Sequence, residues 1–533
     1  MFGTGISANP LKLDVRSHIK CILICLVITL SAFQAGLDNS LISGFLAMPG
    51  FLKVYGYYDD ELESWNIDPT VQQLITGLMT AGSFSSAMLV GPFSSRFGRK
   101  YGMWAASVFN LIAAIIMMKT TDLGSLYFAR FLLGFSVGWF IPFSQLYVQE
   151  VAPAHLRGIM FAIYQCELSF ASVVGTIVDY GTHNIESRLS YRIPLSIFFL
   201  VPATQLIALF FYPESPRWLA VQGRETESWE ALRRLRNSEI DETELLAEFN
   251  EIKQSTHEQV ELSKKALFLE IWQGTNLRRT LLSISSLCFI GAAGSSWVGA
   301  YETYYLTIAK VSDPFGFSIL VASAAFIFAL LSALFLRYID RRVLVMSLAL
   351  TCSFAHLVPA IAWTISPGSM ASARVAVAFN VLFIVCVSIY LPCLYLLGGE
   401  FPNSALRGYA FGVANMFKYA ANFLGNFTAP YFINPASLNW GPKYGYIWFS
   451  SNVTVATFAY FFLPETRDRT LEELHEMFEN KVPARKFKTY VCVGVEGYAA
   501  EVRKETGQQE EKVILERAES SGMNSLATTV KAL

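Results

Sequence analysis

Charge is scarce in this chain. Asp, Glu, Lys and Arg make up 16% of its 533 residues, against about 25% in soluble globular domains. The signs nearly cancel, with 41 Lys and Arg against 42 Asp and Glu, so no basic excess points to nucleic acid. Cysteine is sparse too, and none of the eight forms a CxxC pair. That excludes a disulfide framework or thiolate metal site and leaves small, soft packing residues. A phosphate-cradling glycine loop, a metal-ligand cluster and a nucleophile motif are all missing from the string. An enzyme is therefore not expected, nor is a cofactor or a metal.

What is abundant is grease. Hydrophobic residues make up 53% of the chain and the mean hydropathy is +0.39. They gather into runs of about 20, the length that crosses a hydrocarbon core. Twelve such runs are read at about 21–46, 71–92, 101–119, 123–146, 158–180, 193–212, 280–308, 315–337, 343–365, 374–398, 409–430 and 444–463. Helices satisfy their own backbone hydrogen bonds in lipid, so the expectation is an all-α membrane protein seated in a bilayer.

The few charges are placed unevenly. Lys12, Arg16 and Lys20 precede the first run, Arg96, Arg99 and Lys100 follow the second, and Arg157 follows the fourth. The stretch after the sixth is rich in Arg and Lys, while the loop after the first reads YDDELESWNID. Positive charge marks the cytoplasmic side. This gives a cytoplasmic tail over 1–20, a first set of six spans over 21–212, and a cytoplasmic linker of short amphipathic helices over 213–276. A second set of six spans follows over 277–463. Residues 464–533 form a cytoplasmic tail, disordered at its Gln/Glu-rich end. No cleavable signal peptide is expected, because a charged, span-free stretch comes first.

Short polar signatures recur in the second half. SRFGRK after the second run is answered by the barer IDRR after the eighth, EVAPAHLRG by EFPNSALRG with the same spacing from Glu to Arg, and PESPRWL by PETRDRTLEEL. The chain therefore reads as a duplication, and transporters with a site between two halves are built this way. Each Glu-to-Arg step puts opposite charges at cytoplasmic helix ends, where pairs worth about 1 kcal/mol make a latch. The gate candidates are Arg96, Gly98, Arg99, Glu150, Arg157, Glu214 and Arg217 in the first half. Asp340, Arg341, Arg342, Glu400, Arg407 and Glu465 are their counterparts in the second.

These strings, with GLDNSLISG in the first run, YFARFLLGFSVG in the fourth and Tyr304-Tyr305 in the seventh, resemble the sugar-porter family of the major facilitator superfamily over about 20–480. The PARKFKTYVC tail is similar to fungal members, which implies a plasma-membrane, multi-pass protein with both termini cytoplasmic. The resemblance also implies a major facilitator fold, with twelve transmembrane helices in two six-helix bundles that alternate access to a carbohydrate or polyol site. In this family Asp is usual at the place of Ser95, which implies a weaker first-half latch here. A monomer is expected, with no nucleic-acid partner.

Asp38 is the residue that most needs explaining, because a carboxylate at membrane depth must be paired, neutral or facing water. In proton-coupled members an Asp of span one and an Arg of span four form a switchable pair, and Asp38 and Arg130 match those positions. Beside the guanidinium the carboxylate stays charged; when the guanidinium withdraws, it takes a proton. A fixed structural ion pair is the alternative. Gly134 and Gly138, four residues apart, let neighbouring helices approach closely.

For substrate, Gln165 matches the family's span-five glutamine, Tyr395 stands where a tryptophan is usual, and Lys418, Tyr419 and Asn422 replace or keep the span-eleven pattern. In span seven the family's three amides fall on Gly294, Ser295 and Ala300. Trp297, Tyr301, Glu302, Tyr304 and Tyr305 remain as candidates. Glu167, Glu302 and Lys418 are ionisable groups within spans and so functional candidates by default. The leading reading is a proton symporter of a sugar or sugar-like solute. The alternatives are a carrier on the same fold, even an exporter, of a non-sugar polar metabolite, and a transporter-like nutrient sensor.

Overall fold

The computed structural model describes residues 19–60, 64–152, 157–236, parts of 242–256, 268–309, 311–403, 406–467, 469, 471–490 and 492. Arg16, Lys12 and the tail beyond 492 lie outside them. Two compact units are distinguished, Met1–Tyr460 and Phe461–Leu533.

The first half opens with α1 (Ile19–Phe45) and a short α2 (Pro49–Tyr55), followed by α3 (Pro69–Phe97), α4 (Arg99–Lys119), α5 (Leu123–Val151) and α6 (Arg157–Thr182). Its sixth span is broken into α7 (Leu189–Ile197) and α8 (Leu200–Phe211). Two short helices, α9 (Pro216–Val221) and α10 (Glu225–Leu235), lead toward the second half. There the seventh span is again broken, into α11 (Gly274–Ala292) and α12 (Ser295–Ile308), and α13 (Pro314–Tyr338), α14 (Arg341–Ile365), α15 (Met370–Glu400), α16 (Arg407–Ile433) and α17 (Gly445–Phe462) follow. All twelve expected runs are helical. Nine of these spans are long and apolar enough on hydropathy alone. The runs that fall short include α6, with Gln165, Glu167 and Asp179, and α16, with Lys418, Asn422 and Asn426; their polar content is where a transport path would need it.

The duplication is also written in the caps. Asp68 accepts from Thr70 N at 2.7 Å ahead of Pro69, and Asp313 accepts from Gly316 N at 2.9 Å ahead of Pro314. Asp122 and Ser369 cap α5 and α15 in the same way. Each satisfies an amide that the first helical turn would leave orphaned, and proline at the first position costs no hydrogen bond. These four helices are the second and fourth spans of each half. The break in the seventh span falls at Gly294, whose φ of +89 is a left-handed conformation that a side chain would resist. One element departs from the all-helical expectation: Tyr57–Asp59 and Ser64–Asn66 pair as a small antiparallel β-hairpin after α2. We call that end of the molecule the hairpin end and the opposite one, with Arg99 and Arg341, the charged end.

Packing within the first half is close, as the glycines foretold. A Cβ on Gly134 would lie 1.9 Å from the Met79 carbonyl, and one on Gly138 would meet Ser86 and Ser83 of α3. Across the halves, α3 lies against α16, α6 against α13, and α1 against α12. The second unit has its own small core, where Leu474, Met477 and Phe478 of α18 (Leu471–Glu479) and Phe487 are buried. Arg469 stitches it together, pairing with Glu473 at 3.2 Å and donating to the Tyr490 carbonyl at 2.7 Å.

Candidate transport site and gates

The pair foreseen from sequence is formed. Arg130 Nη1 donates to Asp38 Oδ1 at 2.7 Å, and both side chains are almost wholly buried. Arg130 is further held by Nε donating to the Ile75 carbonyl at 3.0 Å and by Nη2 against Met79 Sδ at 3.2 Å. Asp38 has no such reserve, since its Oδ2 finds no partner among the described residues. The guanidinium is thus anchored by α3 while the carboxylate depends on the guanidinium alone, so α1 is the element that can let go.

The hairpin end is closed by hydrogen bonds between the halves. Tyr301 Oη reaches the Gln72 carbonyl at 3.3 Å and Thr76 Oγ1 across the halves, and the Asn426 carbonyl of its own half lies at 3.1 Å as a second acceptor for the same proton. Thr303 N donates to Ser43 Oγ at 2.9 Å, and Tyr304 Oη to Asn66 Oδ1 at 3.3 Å. Asn434 Nδ2 bridges the Ile67 carbonyl at 2.8 Å and Gln72 Oε1 at 3.0 Å. Sequence reasoning missed Gln72, Thr76, Asn66 and Asn434; the signal available was a set of amides and hydroxyls flanking spans.

At the charged end the described ion pairs lie within each half. Arg99 Nη2 meets Glu150 Oε1 at 2.7 Å, and Arg341 pairs with Glu400. In each half the Glu at the end of the fourth span thus meets an Arg at the start of the third. The side chain of Arg157 lies outside the described residues. Glu214 caps α4, accepting from Arg99 N at 3.2 Å, Lys100 N at 3.1 Å and Ser215 N at 2.9 Å. Burial pushes its carboxyl above the ordinary range, and the backbone donors pull it partly back. Gly98, at φ +94, sits where a Cβ would come within 2.4 Å of Glu214 Oε2. Ser95 takes no part in a charge pair; its hydroxyl donates to the Pro92 carbonyl at 2.9 Å. Arg342 donates to the Tyr460 carbonyl, Asp340 precedes α14, Arg96 is exposed, and Arg217 and Arg407 are half-buried on α9 and α16. Within the second unit, Glu465 accepts from Thr466 N and Arg467 N.

Between these ends lies a polar seam. On the second-half wall Lys418 Nζ donates to Tyr395 Oη at 3.0 Å and sits 4.1 Å from the centre of the Tyr419 ring. No carboxylate pairs with it among the described ion pairs, so the Lys418–Glu alternative is not the one seen. Asn422 is half-buried nearby. The first-half wall is α6, where Gln165 is half-buried and Glu167 Oε1 accepts from Thr29 at 3.1 Å. Deeper in α1, Gln34 is wholly buried with both amide atoms unpartnered among the described residues, and Asp179 of α6 is buried against Gly44. Trp297 and Tyr305 lie elsewhere than the seam. They turn into the second half, where the Trp297 ring stacks toward Trp448 and meets Tyr444 edge to face. Glu302 turns the same way, accepting from Asn380 Nδ2 at 3.3 Å.

Two halves of six helices, closed at one end around a polar seam with a buried acid–guanidinium pair, define a membrane carrier. The family model for "Sugar (and other) transporter" matches residues 24–478, and the chain belongs to that family; it is a transporter, not an enzyme. A low-affinity glucose transporter of Kluyveromyces lactis is 25% identical over 490 residues, spanning 89% of this chain and 85% of the relative. A maltose permease of Saccharomyces cerevisiae is 26% identical, over 90% of this chain and 79% of the relative. Among solved structures, an inward-open xylose transporter from E. coli superposes with a TM-score of 0.70 at 21% identity, over 85% of this chain and 99% of the other. The fold is that of the major facilitator superfamily.

Proposed function

We propose that the protein carries a sugar or sugar-like solute by alternating access, with the proton on Asp38 coupled to the state of the two halves. The observation that carries this reading is the asymmetric anchoring of the pair: Arg130 is fixed to α3 by two further contacts, whereas Asp38 has the guanidinium alone. When α1 moves, Asp38 loses its counter-charge and takes a proton, so protonation and conformation become one equilibrium. Charge distribution puts the charged end in the cytoplasm, and the hydrogen-bonded hairpin end then corresponds to a state shut to the outside. Relatives named as glucose and maltose carriers support a carbohydrate solute, and the plasma membrane is its expected location.

One observation favours a second solute class. Lys418 places a buried ammonium on the seam with two tyrosines and, among the described residues, no paired carboxylate, which favours an acidic sugar derivative over a neutral hexose. The test is counterflow in proteoliposomes with hexoses, disaccharides, polyols and sugar acids under an imposed pH gradient. Gradient-driven uptake of one class supports the reading, and preference for sugar acids that Lys418→Asn reverses supports the second. Binding of labelled solute without exchange refutes transport.

A further inference from the structure

The interval that separates Glu150 from Glu400 in the duplicated signature also separates Arg130 from Asn380. Arg130 holds a carboxylate of the first span of its half; Asn380 Nδ2 holds a carboxyl of the first span of the other, Glu302, at 3.3 Å. Each holder, Arg130 and Asn380, also lines a cavity of its own half. A cavity inside the first half runs between Ile42 of α1, Met117 of α4, Arg130 of α5 and Tyr191 of α7. A cavity inside the second half runs between Trp297 of α12, His356 of α14, Asn380 of α15 and Gly445 of α17. These are the first, third, fourth and sixth spans of each half. The second cavity has room for a water molecule. Two side chains more than nine-tenths buried line it with unpartnered polar atoms, Trp297 Nε1 and His356 Nε2. Buried polar atoms of that kind ordinarily signal water or a ligand.

We propose that Glu302 is a second proton-exchanging carboxyl, carried on the first span of the second half, with Asn380 as its holder and the Trp297–His356 cavity, which Asn380 lines, as its water path. The difference between the two sites is chemical. Arg130 brings a counter-charge and Asn380 brings none, so at rest Asp38 is an ion and Glu302 is a neutral acid. Among the described residues no counter-charge for Glu302 is seen. Of the charged groups on elements packed against α12, Asp38 is paired with Arg130 and Lys418 is bonded to Tyr395. Arg374 lies in the first turn of α15 against Met370 Sδ, and Lys443 sits in the turn before α17; the arginines of α11, α13 and α16 lie at the far helix ends. His356 and Tyr305 are the titratable rings that line the same cavity. Movement of α12 about Gly294 carries Glu302 away from the Asn380 amide, and the proton then leaves through the cavity water.

The test is independent of which solute is carried. Infrared difference spectra of the full-length protein in lipid, titrated over pH, should show a protonated-carboxyl C=O band that Glu302→Gln removes and Asp38→Asn keeps, over the bands of Glu167 and Asp179. Asn380→Leu, which deletes the amide donor, should shift that band in frequency without abolishing it. Superposable spectra from wild type and Glu302→Gln, or a band unmoved by Asn380→Leu, overturn the proposal. Either result leaves the Asp38–Arg130 reading standing, since that is judged by gradient-driven uptake.

Discussion

Replacing Asp38 by Asn asks one question twice, once of stability and once of coupling. The side chain has the same shape, but the change removes the anion that Arg130 Nη1 meets at 2.7 Å in a site almost closed to water. Breaking one partner of a buried pair leaves the other charge uncompensated, at about 3–5 kcal/mol. Here the loss falls at the lower end, because Arg130 keeps the Ile75 carbonyl and Met79 Sδ and the new amide oxygen still accepts. Arg130→Met is the harsher change in principle, yet it lets Asp38 neutralise itself by binding a proton, so its cost should shrink as pH falls. Thermal unfolding in detergent, followed by tryptophan fluorescence at two pH values, separates the two variants. In transport, Asp38→Asn should retain solute exchange but lose accumulation against a gradient. If Asp38→Asn accumulates solute like wild type, the pair is structural and the coupling argument fails.

Three more outcomes follow from the gates. Tyr301→Phe removes the hydroxyl that joins α12 to Gln72, Thr76 and Asn426. At about 0.5–1.5 kcal/mol net per hydrogen bond, it should shift the halves several-fold toward an open hairpin end, seen as longer distances between spin labels at Glu186 and Leu438. Gly98→Ala forces a side chain into a conformation near φ +94 and ψ −178, costing about 1–3 kcal/mol before the clash with Glu214; a melting temperature equal to wild type refutes the strain. Glu214 has a raised proton affinity in the fold, so its contribution is fully present below the ordinary value of 4.5 and is lost as pH rises through the folded value. Glu214→Gln should flatten that dependence, measured as the change in unfolding temperature with pH relative to wild type.

The architecture was legible because lipid leaves few solutions. A run of about 20 apolar residues has to be a helix, and repeated strings such as EVAPAHLRG and EFPNSALRG set the register of the two halves. Asp38 was legible for the same reason: a carboxylate in an apolar run needs a reason, and the fourth span offered one arginine. What the string concealed was direction around the helix axis. Trp297, Tyr301, Glu302, Tyr304 and Tyr305 crowd one short helix, and sequence alone assigns them together to a substrate pocket. The left-handed turn at Gly294 sets the rotation of α12, so that Tyr301 and Tyr304 face the other half while Trp297, Glu302 and Tyr305 face inward.

The gates show the same limit and a physical consequence. A Glu and an Arg seven residues apart draw attention in one dimension, and the structure adds a partner the spacing does not reveal: Glu150 is held by Arg99 and Glu400 by Arg341, each from the start of the third span of its own half. Pairs internal to a half do not have to break for the halves to separate at that end. The hairpin-end bonds do, since Tyr301, Thr303, Tyr304 and Asn434 each reach the opposite half. Among the described residues, the contacts opposing that opening are therefore neutral hydrogen bonds of about 1 kcal/mol each. The described ion pairs of the charged end instead join helices of one half, and Ser95, bonded to the Pro92 carbonyl, takes no part in the Arg99–Glu150 contact.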